Sequence, residues 1–131
     1  MSRNSRWRPP PAAARHIADE LALAVAASDP WHHLQRAHIL AQPWAAPHVR
    51  VHAVMLSQAR LERRWRESVA QAVLMTIAGP ASLARQYPTG HKGTSDMGLR
   101  GTAPVPADLQ QILDTAADRA SVAADQHDRR E

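Results

Sequence analysis

His38, His48 and His52 are the residues whose type and spacing could do chemistry together. His48 and His52 stand four apart, so on a helix they are neighbours, one turn from each other on one face. His38 closes the helical stretch before them. In a helical hairpin the end of one helix meets the start of the next, which sets His38 beside His48 with His52 one turn deeper. Glu20 lies on the helix before, with His16 one turn ahead of it. In up-down-up order the start of that helix falls at the same end. Imidazoles with a carboxylate suit Zn, Fe, Cu, Co or Ni. The expected metal ligands are therefore His38, His48, His52 and Glu20, with His16 further off its helix's apolar face. Two other readings stay open, because an H-x-x-x-H pair arises readily by chance in a chain with eight histidines. In one, the histidines are structural and only hydrogen-bond to backbone or carboxylate. In the other, His52 or His48 works with Glu20 as a metal-free acid–base pair.

The elements that would position these residues are helical. Ile17, Leu21, Ala24, Val25 and Ser28 recur on one face of a first helix over 12–27. Asp29 then reads as an N-cap and Pro30 as a first helical residue, opening a second helix to Ala41. Pro43 and Pro47 break the chain. A third helix from Pro47 to about Arg66 carries Arg50, Ser57, Arg60 and Arg64 on its polar side. His48, Val51, His52, Met55, Ala59 and Glu62 lie opposite, so the two histidines are expected to face inward. A fourth helix over 67–78 is apolar nearly all round, the pattern of an element covered on several sides, and a homodimer is compatible with it. Gly79-Pro80 is expected to end it, with Pro80 starting a short helix to Arg85.

Residues 86–106 lack periodicity and are punctuated by glycine and proline. So long a loop in a small domain suggests a covering or functional segment. Tyr87, Gly90, His91, Lys92, Gly93 and Ser95 could cradle an anion through backbone N–H groups, but the spacing is not that of a phosphate loop. Wrapping, with glycine for tight turns, is the simpler reading, and His91 is placed to act as an outer ligand or lid. Leu109, Ile112 and Leu113 mark a last helix. The expected organisation is a loose basic, proline-rich tail over 1–11, one helical domain over 12–119, and a frayed polar end over 120–131. The fold class is all-α: antiparallel helical hairpins forming a small bundle, with a covering loop and a C-terminal helix.

Composition removes several functions. There is no cysteine, which excludes disulfides, thiolate zinc sites, cysteine nucleophiles and cysteine-ligated clusters, and fits the cytoplasm. No apolar run approaches the roughly 18 residues of a membrane span, and the N-terminal stretch lacks the apolar segment of a secretory signal. The net charge of +4 is concentrated at Arg3, Arg6 and Arg8 and at Arg60, Arg63, Arg64 and Arg66. Acidic residues are interspersed, so this excess reports solubility rather than nucleic-acid binding. Glu62 and Glu67 with these arginines read as a solvated, salt-bridged helix junction. His32 and His33 are expected to cover the turn after the first helix, with Trp31 as a core anchor. No G-x-S-x-G elbow and no H-E-x-x-H pair is present. The partner is then a small molecule, or a protein meeting a surface of Trp44, Trp65 and the arginines if the chain is a helical interaction module.

The segment WHHLQRAHILAQPWAAPHVRVHAVML, with QYPTGHKG and PVPADL beyond it, resembles a bacterial family of small proteins described as domain of unknown function 3703. The likeness runs from about Ala13 to Leu113 and is most specific at 36–40, His48 and 51–56. It implies a small, mostly helical protein and supplies no reaction.

Overall fold

The computed structural model describes residues 3–98 and 101–130. Six α-helices follow in order: α1 (Arg3–Trp7), α2 (Pro11–Ala26), α3 (Pro30–Ala41), α4 (Ala45–Leu61), α5 (Trp65–Ala84) and α6 (Ala107–Asp128), with one 3₁₀ turn at Ser95–Met97. No strand occurs among the described residues. Successive helices from α2 to α5 form antiparallel hairpins across short connections, and α6 returns over α2 and α3. This is the expected all-α bundle. Among the described residues no helix is long and apolar enough to cross a membrane.

Local chemistry explains most boundaries. Asp29 Oδ1 accepts from the Trp31 N–H at 3.2 Å and Pro30 takes the first position of α3, as expected. α4 starts two residues earlier than Pro47. At the third helical position, proline's missing N–H is one of the four that have no partner in any helix, so Pro47 costs nothing there.

α4 also ends earlier, at Leu61. Arg63 turns left-handed (φ 56°), the Arg64 N–H reaches the Ala59 carbonyl at 2.8 Å, and the Arg63 N–H reaches that of Arg60 at 3.1 Å. This is a Schellman end with arginine where glycine is usual. α5 ends the same way at Arg85.

Pro80 does not break α5. The residue before a proline normally leaves the helical region because its Cβ meets the proline ring. Gly79 has no Cβ, and one built there would already touch Val49 Cγ2 at 3.4 Å, so glycine also lets α5 approach α4 closely. At the termini, residues 3–7, expected to be loose, form α1, and Arg6 Nη1 donates to the Leu83 carbonyl. Met1 and Ser2 lie outside the described residues. α6 continues to Asp128, well past the expected fraying point.

The core is built from Ile17, Leu34, Ala37, Leu40, Val51, Met55 and Leu109, all essentially buried. Each large aliphatic side chain among them stabilises the fold by about 1.5–3 kcal/mol. α5 departs from this pattern. Its buried residues are Glu67, Ser68, Gln71, Ala78, Gly79 and Ser82, whereas Val69, Val73 and Ile77 are 66%, 49% and 45% exposed. The helix turns its polar side into the protein. Burying those groups requires partners, and for Gln71 and Ser82 these include His52 and His48.

Candidate metal centre

His38 comes from the last turn of α3, and His48 and His52 from the first two turns of α4. All three are buried, at 2%, 4% and 2% exposure. The hairpin brings them together as the spacing predicts. His48 Nε2 lies 3.0 Å from His38 Nε2, and His38 Nε2 lies 3.1 Å from His52 Nε2. The ring centroids are 4.7–5.1 Å apart.

The other nitrogen of each ring decides the chemistry. His38 Nδ1 is 2.7 Å from the His91 carbonyl oxygen, which can only accept. His52 Nδ1 is 2.6 Å from Gln71 Oε1. The Gln71 amide cannot be the other way round, because its Nε2 already donates to Glu67 Oε1 and to the Gly93 carbonyl, both at 2.6 Å. His48 Nδ1 is 2.8 Å from Ser82 Oγ, whose own proton goes to the Gln42 carbonyl at 2.5 Å. Three independent acceptors therefore put a proton on every Nδ1. Every Nε2 is left as a bare lone pair, and the three lone pairs point at one another. The short Nε2–Nε2 contacts are thus not hydrogen bonds between neutral rings.

Protonation does not relieve this. Burial pushes His48 down to about 3, with His52 adding to the effect. Burial, then the neighbouring His52 and His48, holds His38 well below the usual imidazole range. Burial also lowers His52, against the opposing Gln71 hydrogen bond. The rings are neutral near pH 7, the form that ligates metal. An ion about 2.0–2.1 Å from each nitrogen sets neighbouring nitrogens about 2.8–3.4 Å apart for angles from 90° to tetrahedral. The three ligating atoms all lie within 4.8 Å of one another, so this cluster could hold a metal ion. Outward Nδ1–H bonds of this kind orient metal-ligating imidazoles and raise their basicity.

The loop after α5 covers the cluster. Besides the His91 carbonyl, it contributes the Gly93 carbonyl to Gln71 and the Pro88 carbonyl to Gln42 Nε2 at 3.0 Å. Gly93 has φ +84°, and a Cβ there would lie 2.6 Å from His38 Cδ2. Only glycine serves at that point. Loop glycines thus act in wrapping, the simpler of the two expectations. Glu67 ties the loop to α5, accepting from the Ser95 N–H and hydroxyl. Glu67 to Gln71 to His52 is a continuous relay ending in a buried carboxylate.

The other singled-out residues lie elsewhere. Glu20 is not part of the cluster: its oxygens accept from Arg36 Nε at 2.7 Å and meet His33 Nδ1 at 2.8 Å. The reason is that α3 has two working sides. Residues 33 and 36 face α2, whereas His38 faces α4, so a carboxylate on α2 meets the former. His16 is exposed. His91 is a cover rather than an outer ligand, since its Nδ1 accepts from the Gly93 N–H at 2.8 Å and its Nε2 donates to the Gly98 carbonyl.

Trp44 is buried at 4% exposure and forms no surface with Trp65, which is 68% exposed. Glu67 is 3% exposed, so it is no solvated junction residue. Glu62 does accept from Trp31 Nε1 at 2.8 Å and pairs with Arg64. Gln71 and Ser82 were not singled out in the sequence. The one signal for them is two polar side chains inside an apolar helical run.

The family model described as "Protein of unknown function (DUF3703)" matches residues 12–113. The chain belongs to this family. Within this DUF3703 chain the match takes in α2 to α5, the covering loop and the start of α6, hence every residue of the cluster and each of its acceptors. No curated protein and no solved structure matches the chain.

The cluster is also accessible. It lines a cavity of about 460 Å³ with Leu74, Ile77, Ala81, Arg85, Tyr87 and Pro88 among its other walls. Three imidazoles on one side with an open space on the other is the arrangement of a site that keeps a coordination position for water or substrate.

Proposed function

We propose that this protein is a cytoplasmic metal-binding protein. It holds one transition-metal ion through His38, His48 and His52 Nε2, with the remaining position turned to the cavity. The single observation that carries the reading is the convergence of three Nε2 lone pairs whose tautomers are fixed by three separate acceptors. A cluster serving only as core hydrogen bonding has no use for such convergence, since like lone pairs repel and a cation reverses the sign. Neutral imidazoles favour Zn, Co, Ni, Cu or Fe over Mg or Ca. The acid–base alternative loses its carboxylate, because Glu20 is engaged by Arg36 and His33. At the open position an ion can serve metal handling, or it can polarise a bound ligand and lower the pKa of bound water.

The test is elemental analysis of the untagged protein after reconstitution with each divalent ion at neutral pH, beside His48→Ala and His52→Ala. One ion per chain in the wild type, lost in both variants, supports the reading. Wild-type protein that retains no ion under any of these conditions ends it. The bound ion should also raise the thermal midpoint, because a ligand of the folded state alone stabilises that state.

A further inference from the structure

α5 leaves one side of itself uncovered. Trp65, Val69, Val73 and Ile77 follow one another at four-residue spacing, so they form a continuous ridge along the helix. All four are exposed, as is Leu83 further on. Ala72, Thr76 and Pro80, on the same side, are small and exposed. From Ser68 to Ala84 the helix carries no charged residue. The opposite, polar side of α5 is the one engaged with the histidines and the covering loop.

We propose that this face is the contact through which two copies of the chain pair as a dimer, α5 against α5 across a two-fold axis. The pairing goes beyond the metal reading and does not depend on it. Three observations select a second copy as the occupant. The first is area. The five large side chains leave roughly 500 Å² open, and the small residues between them add to it. That approaches the roughly 800 Å² each partner brings to a standard interface, and it is large for a chain that stays alone. The second is composition. Homodimer contacts are more apolar than contacts between proteins that also live apart. A face without charge must meet another without charge, because an unpaired charge buried against it is costly. α2, α4 and α6 all expose charged side chains, so the surface of this protein that meets the condition is the same face of α5. The third is shape. A ridge of side chains four apart packs into the groove beside the same ridge on another helix, the commonest way two helices meet, and two-fold pairs are the commonest assemblies. A bilayer surface fits less well, since helices that lie on membranes flank the apolar stripe with Lys or Arg. α5 has none between Arg66 and Arg85. Ile77 belongs both to this face and to the wall of the histidine cavity, so the second copy borders that cavity.

Analytical ultracentrifugation of the untagged chain, in a dilution series reaching about 100 µM, reads the mass directly. Twice the chain mass is expected. Val69→Lys and Val73→Glu each set a charge in the contact and are expected to weaken association by at least about a hundredfold, leaving a monomer. Both side chains are exposed in the single chain, so the fold survives, as an unaltered circular-dichroism spectrum would verify. Val25→Lys, at an exposed position of α2, is expected to stay dimeric. The chain has no cysteine, so Thr76→Cys gives a second reading without adding charge. A short bis-maleimide should link Thr76→Cys into a covalent dimer and leave Val25→Cys unlinked. Wild-type chain that is monomeric at every concentration overturns the proposal. If that monomer floats with vesicles of anionic phospholipid, the face belongs to a lipid surface instead. A dimer that survives both Val69→Lys and Val73→Glu, or that links equally through Val25→Cys, overturns it as well.

Discussion

Two histidine environments lie on opposite sides of α3, and they differ in what is left over. On the α2 side, His33 and Arg36 share the Glu20 carboxylate, and Arg36 also pairs with Asp108. Each of these contacts pairs a nitrogen with a carboxylate oxygen. Arg36 is held above its usual range, chiefly by the Asp108 hydrogen bond, and Asp108 is lowered by the same contact. On the α4 side, His38, His48 and His52 satisfy only their Nδ1–H groups, and three acceptors remain with nothing to accept. The first is a closed polar network that holds α2 and α6 to α3. The second has unspent ligand capacity. Burial and proximity are common to both, so neither marks a site; the unmatched lone pairs do.

The contrast is sharpest under removal of single rings. His38→Ala or His52→Ala should lower metal affinity by more than about a hundredfold, beyond the usual cost of removing a group that only hydrogen-bonds to a ligand. His33→Ala should leave it untouched, as competition against a chelator would read. Equal loss in His33→Ala would erase the distinction.

Acid provides the next largest effect. The cluster's imidazoles titrate lower in the folded protein than in the unfolded chain. Between about 6.5 and about 3, taking His48 as the guide, the unfolded state therefore binds more protons. The stabilisation is complete above the unfolded value and is lost as pH falls through that window. Urea unfolding of the metal-free protein should lose roughly 1.4 kcal/mol per pH unit for each histidine taking part. Replacing His48 and His52 by leucine should flatten the profile; a profile equally steep in that variant would refute the assignment.

Smaller effects test the shell around the ligands. Gly93→Ala should cost about 1–3 kcal/mol in unfolding free energy, from the left-handed backbone and the approach to His38. It should also weaken metal binding. Gln71→Leu, of similar bulk, removes the acceptor for His52 Nδ1 and should reduce metal affinity by about 10–100-fold, measured by the same competition. Glu20→Gln is the mildest, at about 1 kcal/mol or less of stability for a partly exposed ion pair and no change in bound metal.

Local rules carried the fold a long way. Asp29-Pro30 and the Pro43–Pro47 turn announced the α3–α4 hairpin, and with it the meeting of His38 with His48 and His52. One helix end escaped notice because arginine occupies the left-handed position at Arg63, where glycine would have signalled the turn. Pro80 misled for a related reason: the breaker's effect depends on the Cβ of the residue before it, and Gly79 has none. Glu20 was set in the cluster by counting which end of α2 it occupied, when the deciding variable was which side of α3 it faced. α5 read as an apolar element to be covered. Its few polar residues proved to be its inner face, because only there could Gln71, Ser82 and Glu67 find partners.

What the amino-acid order determined by itself was helical periodicity, the breaks between helices, and thereby three imidazoles at one end of a hairpin. These follow from interactions within a few residues. What the tertiary structure alone decided was the direction of each lone pair. The acceptors for His52, His48 and His38 come from 19, 34 and 53 residues away. A tautomer is set by which nitrogen meets an acceptor within about 3 Å, and that is a fact about packing, not about neighbours in the chain.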